Sequence, residues 1–180
     1  MFTKAIAAGV LLGVAARLVD DVAPTWVGNI GAVWFMAAFL VGRSHPKRGD
    51  GARAGASCLA LACLTYYAWR VSVDGTISTR YLALVGGAWL ITSLVTGVVG
   101  GALGSMSTGS AKAWAIAAGV LVGEAAAVLL LSGRVTQPLL DLATAGVILR
   151  RAEGRRHLAL VLATAVIIAL LATIYRFVLR

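Results

Sequence analysis

Charged side chains are scarce in this sequence of 180 residues: they make up 13% of it, whereas hydrophobic residues make up 60%. Soluble domains carry about 25% charged and about 45–50% apolar residues. A chain with so few charges cannot cover its whole surface with polar groups, which excludes water as its main solvent. The composition therefore predicts an integral membrane protein.

Cysteine and histidine are also rare, with two of each. Cys58 and Cys63 lie five residues apart and point to different sides of a helix, so they cannot form a disulfide with each other. His45 and His157 have no acidic or cysteine neighbour at metal-ligand spacing. The sequence also lacks a phosphate-binding loop, a dinucleotide-binding glycine pattern and a nucleophile elbow. We therefore predict no catalytic residue, no metal and no cofactor, and an enzyme is not favoured.

Seven apolar stretches occupy most of the chain. They are Phe2–Val19, Trp26–Gly42, Ala54–Val73, Tyr81–Leu103, Ala111–Leu131, Gln137–Leu149 and Leu158–Leu179. A transmembrane helix needs about 20 mainly apolar residues, and only the sixth stretch is clearly short. That stretch is a thin span, a span extended by its flanks or a re-entrant segment. We predict an all-α transmembrane bundle, one domain over residues 1–180, with seven spans and six as the alternative.

The distribution of basic residues predicts the orientation. With a cytoplasmic N-terminus, ten basic residues face the cytoplasm: Lys4, Arg43, Lys47, Arg48, Arg53, Lys112, Arg150, Arg151, Arg155 and Arg156. Six face outward: Arg17, Arg70, Arg80, Arg134, Arg176 and Arg180. Because cytoplasmic loops are enriched in Lys and Arg, this orientation in the cell (inner) membrane is favoured. The net charge of +9 is then explained by headgroup contacts, and nucleic acid is not an expected partner.

Glu124 is the strongest single indication of function. It lies about two turns from the outer end of the fifth span, where a carboxylate is costly to ionise. It therefore belongs to a proton relay or a cation site, or else it is a neutral side chain that hydrogen-bonds to another helix. Asp141, early in the sixth stretch, is placed at the same level, although an acid near a helix N-terminus is also an ordinary local preference.

Four further residues are candidates for binding a solute. Arg17 precedes the Asp20–Asp21 pair, so it either forms a local ion pair or turns inward to meet the buried glutamate. Tyr66 and Tyr67 end the third span and cannot both face lipid, because adjacent helical residues differ by about 100°. Asn29 lies within the second span and needs a hydrogen-bond partner in the bundle.

Small residues recur at four-residue spacing, which lets helix backbones approach closely in a membrane. The stripes are Ala5–Gly9–Gly13, Gly97–Gly101, Gly100–Gly104 and Ala115–Gly119–Gly123–Ala127. We expect packing within the bundle. The alternative is a docking face for a partner subunit or a second copy, for which Ala5, Gly9 and Gly13 on the first helix are the candidates.

Three segments carry a resemblance to a known family: Gly13–Asp21, Trp34–Gly42 and the Tyr66–Tyr67 pair. They resemble integral membrane proteins of high-GC actinobacteria, a family without an established activity, over roughly the first hundred residues. The Ala5–Gly9–Gly13 face and the outward polar cluster also resemble the substrate-binding S-components of energy-coupling-factor transporters. That resemblance implies a first helix that docks a partner and a solute pocket open to the outside, on a fold with six spans.

Two functions follow from these patterns. The first is a membrane protein that handles a small solute through an outward-facing polar pocket around Glu124. The second is a non-catalytic accessory subunit that docks to a membrane complex through its small-residue helix faces. A small enzyme acting on lipids would require a lateral opening and two convergent ionisable groups at headgroup level.

Overall fold

The computed structural model describes residues 3–23, 31–75, 77–132, 135–151 and 157–178, with side chains except at 74, 131–132 and 171–178. Within these ranges the regular elements are seven helices. They are α1 (Thr3–Val22), α2 (Gly31–Arg43), α3 (Arg48–Trp69, continued by a π-helical turn at Arg70–Asp74), α4 (Thr79–Tyr81, a π-helical segment at Leu82–Gly86, and Gly87–Met106), α5 (Ala111–Ser132), α6 (Thr136–Arg151) and α7 (Leu158–Val178). The prediction of an all-α protein is confirmed for the described residues.

Three helical stretches of the described chain are long and apolar enough to cross a membrane. By length and composition these are Arg48–Val73, Thr79–Met106 and Ala111–Leu130. Two others, Gly31–Arg43 and Leu158–Leu170, are apolar but shorter. The predicted membrane bundle is therefore confirmed in its helical character and in three candidate spans, and the full set of seven spans stays a prediction.

Several helices have other bounds than the stretches predicted from the sequence. Helix α3 begins at Arg48 instead of Ala54, because Gly51 and the small residues that follow it continue the buried face of the helix. Helix α6 covers 16 residues, Thr136–Arg151, and extends the predicted Gln137–Leu149 stretch at both ends. At about 1.5 Å per residue it is roughly 24 Å long.

The contacts divide the chain into two compact units, Met1–Thr108 and Gly109–Arg180, and each unit is described by itself. The first contains α1 to α4, and the second contains α5 to α7. In the first unit, α3 contacts α1, α2 and α4, and its core includes Phe35, Phe39, Cys58 and Leu59. The single domain of residues 1–180 stays a prediction.

Glycine stripes bring the backbones of α2, α3 and α4 together. Gly97 and Gly101 lie against α3, where a Cβ atom on Gly97 would come 2.6 Å from the Cα atom of Ala56. Gly100 and Gly104 lie on another face of α4 and contact α2. The two predicted stripes of α4 are therefore packing faces towards two different neighbours within the unit.

The small-residue face of α1 is covered by α3. Ala5, Gly9 and Gly13 are buried, and a side chain at either glycine would meet the backbone of α3 near Cys58 or Ala62. The small-residue stripe of α1 therefore packs against another helix of the same unit, as the sequence analysis expected. A partner subunit or a second copy that binds through Ala5, Gly9 and Gly13 stays a prediction.

In the second unit, α5 lies between α6 and α7 and contacts both. Gly119 and Gly123 face α7, where an added Cβ atom would come 2.7 Å from the Cβ atoms of Thr164 and Ile168, respectively. Several alanines of α5 and Leu121 are also buried. Close packing at these two glycines thus holds α7 against one side of α5, and α6 packs against α5 as well.

Candidate functional site

Helix α6 combines polar and apolar residues on its buried face, because Pro138, Ala145 and Ile148 lie there beside two polar side chains. Its buried face contains Gln137 and Asp141, and Asp141 is 0% exposed. Its exposed face contains Leu139, Leu142 and Val147, which are 59%, 46% and 68% exposed, respectively. In water the apolar face of an amphipathic helix is the buried one. The pattern of α6 therefore fits a helix whose outer surface contacts lipid.

The buried polar face of α6 meets Glu124 of α5. The Gln137 side chain donates from Nε2 to Oε1 of Glu124 at 3.4 Å, and Glu124 is half-buried. Asp141 lies one helical turn after Gln137 on the same buried face, and α6 packs against α5. We call these three residues, Glu124, Gln137 and Asp141, the α5–α6 polar site.

The α5–α6 polar site contains two carboxyl groups in largely apolar surroundings. Its two helices also contribute small apolar side chains such as Ala125, Ala127 and Ala145 to the core of the unit. An ionised carboxylate in such surroundings is costly unless hydrogen bonds or a positive charge accompany it. The carboxyl groups of Glu124 and Asp141 are the acceptor groups through which this site could bind a proton or a cation.

A second set of polar side chains lies in the first unit, where α1 and α3 end. Arg17 forms an ion pair with Asp21 at 2.5 Å, which is the local pair that the sequence allowed. The hydroxyl group of Tyr66 donates a hydrogen bond to Oδ2 of Asp20, which links α3 to α1. Arg17 is 11% exposed and Asp21 is 52% exposed, so this pair lies at the edge of the packed helices.

Aromatic contacts complete this second set. The rings of Tyr66 and Tyr67 meet edge to face, with centroids 5.2 Å apart. The guanidinium carbon of Arg70 lies 5.9 Å from the centre of the Tyr66 ring. Tyr67 is buried beside Gly86, in the π-helical part of α4. Of the two tyrosines, Tyr67 is the one enclosed by neighbouring helices.

The structure thus distributes the predicted site residues over both units. Glu124 and Asp141 belong to the second unit, where Gln137 contacts Glu124 directly. Arg17, Tyr66 and Tyr67 belong to the first unit. Asn29 lies outside the described residues.

Sequence reasoning did not single out Gln137. The signal was present, because Gln137 stands four residues before Asp141, and i,i+4 residues share a helix face. Within the part of the chain that the structure describes, no group of three or more His, Cys, Asp or Glu side chains could hold a metal ion.

Comparison with known proteins found no matching family model, no matching curated protein and no matching solved structure. Both resemblances noted from the sequence therefore stay predictions. The functional interpretation rests on the residues of the two units themselves.

Proposed function

We propose that the protein is an integral membrane protein that handles a small solute, and that the α5–α6 polar site binds a monovalent cation in exchange for a proton during that process. One observation carries the proposal: α6 buries Gln137 and Asp141 while it exposes Leu139, Leu142 and Val147. If α6 lies within the bilayer, its buried Asp141 is a candidate for an ion pathway or a proton relay, because ionisable groups inside membrane segments commonly have such roles.

Placement in a bilayer is supported by the apolar surfaces of both units. Apolar side chains are exposed along the described helices, among them Leu11, Ile91 and Leu130 at 69%, 66% and 69%. Such side chains cost free energy in water but not in the hydrocarbon core. The seven-span arrangement with a cytoplasmic N-terminus is part of the proposal and rests on the distribution of Lys and Arg.

A cation or proton as ligand follows from the chemistry of the site. Glu124 and Asp141 supply acceptor oxygens, and the Gln137 amide holds one of the Glu124 oxygens at 3.4 Å. When a cation binds, its charge offsets the negative charge of a carboxylate. When it leaves, a proton can take its place. Alternation between these two states would couple movement of a cation to movement of a proton.

The accessory-subunit alternative receives less support from the helix faces. The stripe of α1 is covered by α3, those of α4 by α2 and α3, and Gly119 and Gly123 by α7. These small residues pack inside the units and therefore do not offer a free docking surface.

The direct test is infrared difference spectroscopy on the full protein in lipid films, recorded while sodium ions replace choline at constant pH. We expect sodium to remove a carbonyl band of a protonated carboxylic acid, because the cation displaces a proton. Asp141→Asn and Glu124→Gln should each abolish this change.

The matched control is Asp50→Asn, which removes an acid next to Arg53 in the first unit. The control variant should retain the sodium-dependent change. A wild-type spectrum that does not respond to sodium or potassium would contradict the proposal. An unaltered response in both Asp141→Asn and Glu124→Gln would contradict it equally.

A further inference from the structure

The turn between α2 and α3 concentrates exposed positive charge. We call residues 43–53 the basic turn. Its exposed cations are Arg43, Lys47, Arg48 and Arg53. Asp50 is the one acidic residue within it, and the carboxylate lies 3.7 Å from the Arg53 guanidinium, whose side chain is 77% exposed. Asp50 therefore offsets only part of the charge, and Lys47 and Arg48 are further exposed cations of the turn.

The first residues of the basic turn form hydrogen bonds with the end of α2. The amide groups of Ser44 and His45 donate to the carbonyl oxygens of Val41 and Gly42 at 3.2 and 3.0 Å, respectively. The His45 ring is buried, with Nδ1 3.1 Å from the Val41 carbonyl oxygen. These contacts hold Ser44 and His45 against the end of α2.

The cations also lie next to apolar surface. Leu40 is 55% exposed and precedes Arg43 by less than one turn of α2. On the other side, α3 continues from Arg48 as one of the three candidate membrane spans. If α3 crosses a bilayer, its first turn and the basic turn lie at headgroup level, where lipid phosphates are the nearest anions.

We propose that the basic turn binds the phosphate groups of anionic phospholipids in the leaflet that it faces. Arginine side chains can donate two parallel hydrogen bonds to a phosphate group, and lysine supplies a further positive charge. Leu40 contacts the acyl chains beside the bound headgroup. The proposal depends on the chain lying in a bilayer, and it is independent of the α5–α6 polar site.

The test measures lipid selectivity of the full protein in phosphatidylcholine bilayers by electron paramagnetic resonance. The probes are spin-labelled phosphatidylglycerol and spin-labelled phosphatidylcholine, and the readout is the motionally restricted fraction of each. We expect the wild type to prefer phosphatidylglycerol. Lys47→Gln combined with Arg48→Gln should lower that preference by about fivefold or more, because each interfacial cation contributes substantially to binding anionic lipid.

Two further variants make the result specific. Lys4→Gln with Arg80→Gln removes the same charge from exposed positions of α1 and α4 and should leave most of the preference. Lys47→Arg with Arg48→Lys keeps both positive charges and should therefore keep the preference for phosphatidylglycerol. This variant tests the proposal even if the double glutamine variant at residues 47 and 48 fails to fold. The proposal would be overturned if the two double glutamine variants lost the preference for phosphatidylglycerol equally, or if the wild type showed no such preference. Displacement of the labelled lipid by millimolar inorganic phosphate at constant ionic strength would also overturn it, because that result would identify a free anion as the ligand.

Discussion

At the scale of single residues, hydrogen bonds between distant parts of the sequence hold the polar side chains of each unit. Tyr66 and Asp20 are 46 residues apart in the chain, yet the tyrosine hydroxyl donates to the aspartate. The Gln137 side chain of α6 likewise donates a hydrogen bond to Glu124 of the neighbouring helix α5. A buried polar group costs free energy when it loses its partner. Each of these bonds therefore helps to fix how its two helices are rotated against each other.

Tyr66→Phe should destabilise the protein while it keeps the aromatic contact with Tyr67. The substitution removes only the hydroxyl group that donates to Asp20, a hydrogen bond to a charged acceptor worth about 1.5–3 kcal/mol. Thermal unfolding of the detergent-solubilised protein measures the loss. Tyr81→Phe is the control, because Tyr81 is 42% exposed, and its effect should stay within about 0.5 kcal/mol. Equal stabilities of the two variants would show that the bond to Asp20 contributes nothing.

At the scale of the helices, small residues determine which elements come together. Helix α4 uses Gly97 and Gly101 towards α3 and uses Gly100 and Gly104 towards α2. Neither pair could accept larger side chains without separating two backbones. In contrast, Gly87 of the same helix has no atom within 4 Å of the position that a Cβ would take. One helix thus contains both essential and dispensable glycines.

Gly101→Ala should lower the free energy of unfolding by about 1–3 kcal/mol, as over-packing does. The new methyl group would overlap the backbone of Gly51 and come 3.0 Å from the Cα atom of Gly55. Gly87→Ala, the matched control, should be neutral or stabilise the helix by about 0.5–1 kcal/mol, since alanine restricts the unfolded chain. Thermal unfolding in detergent compares the two variants. A Gly101→Ala protein as stable as the wild type would mean that α3 and α4 do not pack through this face.

The sequence was sufficient to predict the helices and their small-residue faces, because both depend on local periodicity. It did not predict that α3 begins at Arg48, since basic residues next to an apolar stretch resemble a loop. It also did not predict the contact of Gln137 with Glu124, which depends on the rotation of α6 relative to α5. The same limit applies to the bond between Tyr66 and Asp20. Contacts between helices are set by packing, and periodicity within one helix does not specify them.

At the scale of the whole molecule, the protein has apolar outer surfaces and a partly buried polar site. Three helical stretches of the described chain are suited to cross a membrane. Within the second unit, Asp141 is fully buried on a helix whose leucines and valine are exposed. A protein built in this way can keep a cation site inside the hydrocarbon layer. Coupled movement of cations and protons is the behaviour that such a site predicts.

The most direct measurement of this claim is proton movement in sealed proteoliposomes that contain the full protein and an internal pH-sensitive dye. An inward gradient of sodium or potassium ions should raise the internal pH, because protons leave the site as cations replace them. Asp141→Asn should abolish the response, and Asp50→Asn should leave it intact. Wild-type vesicles that respond no faster than protein-free vesicles, or an undiminished response with Asp141→Asn, would contradict the account.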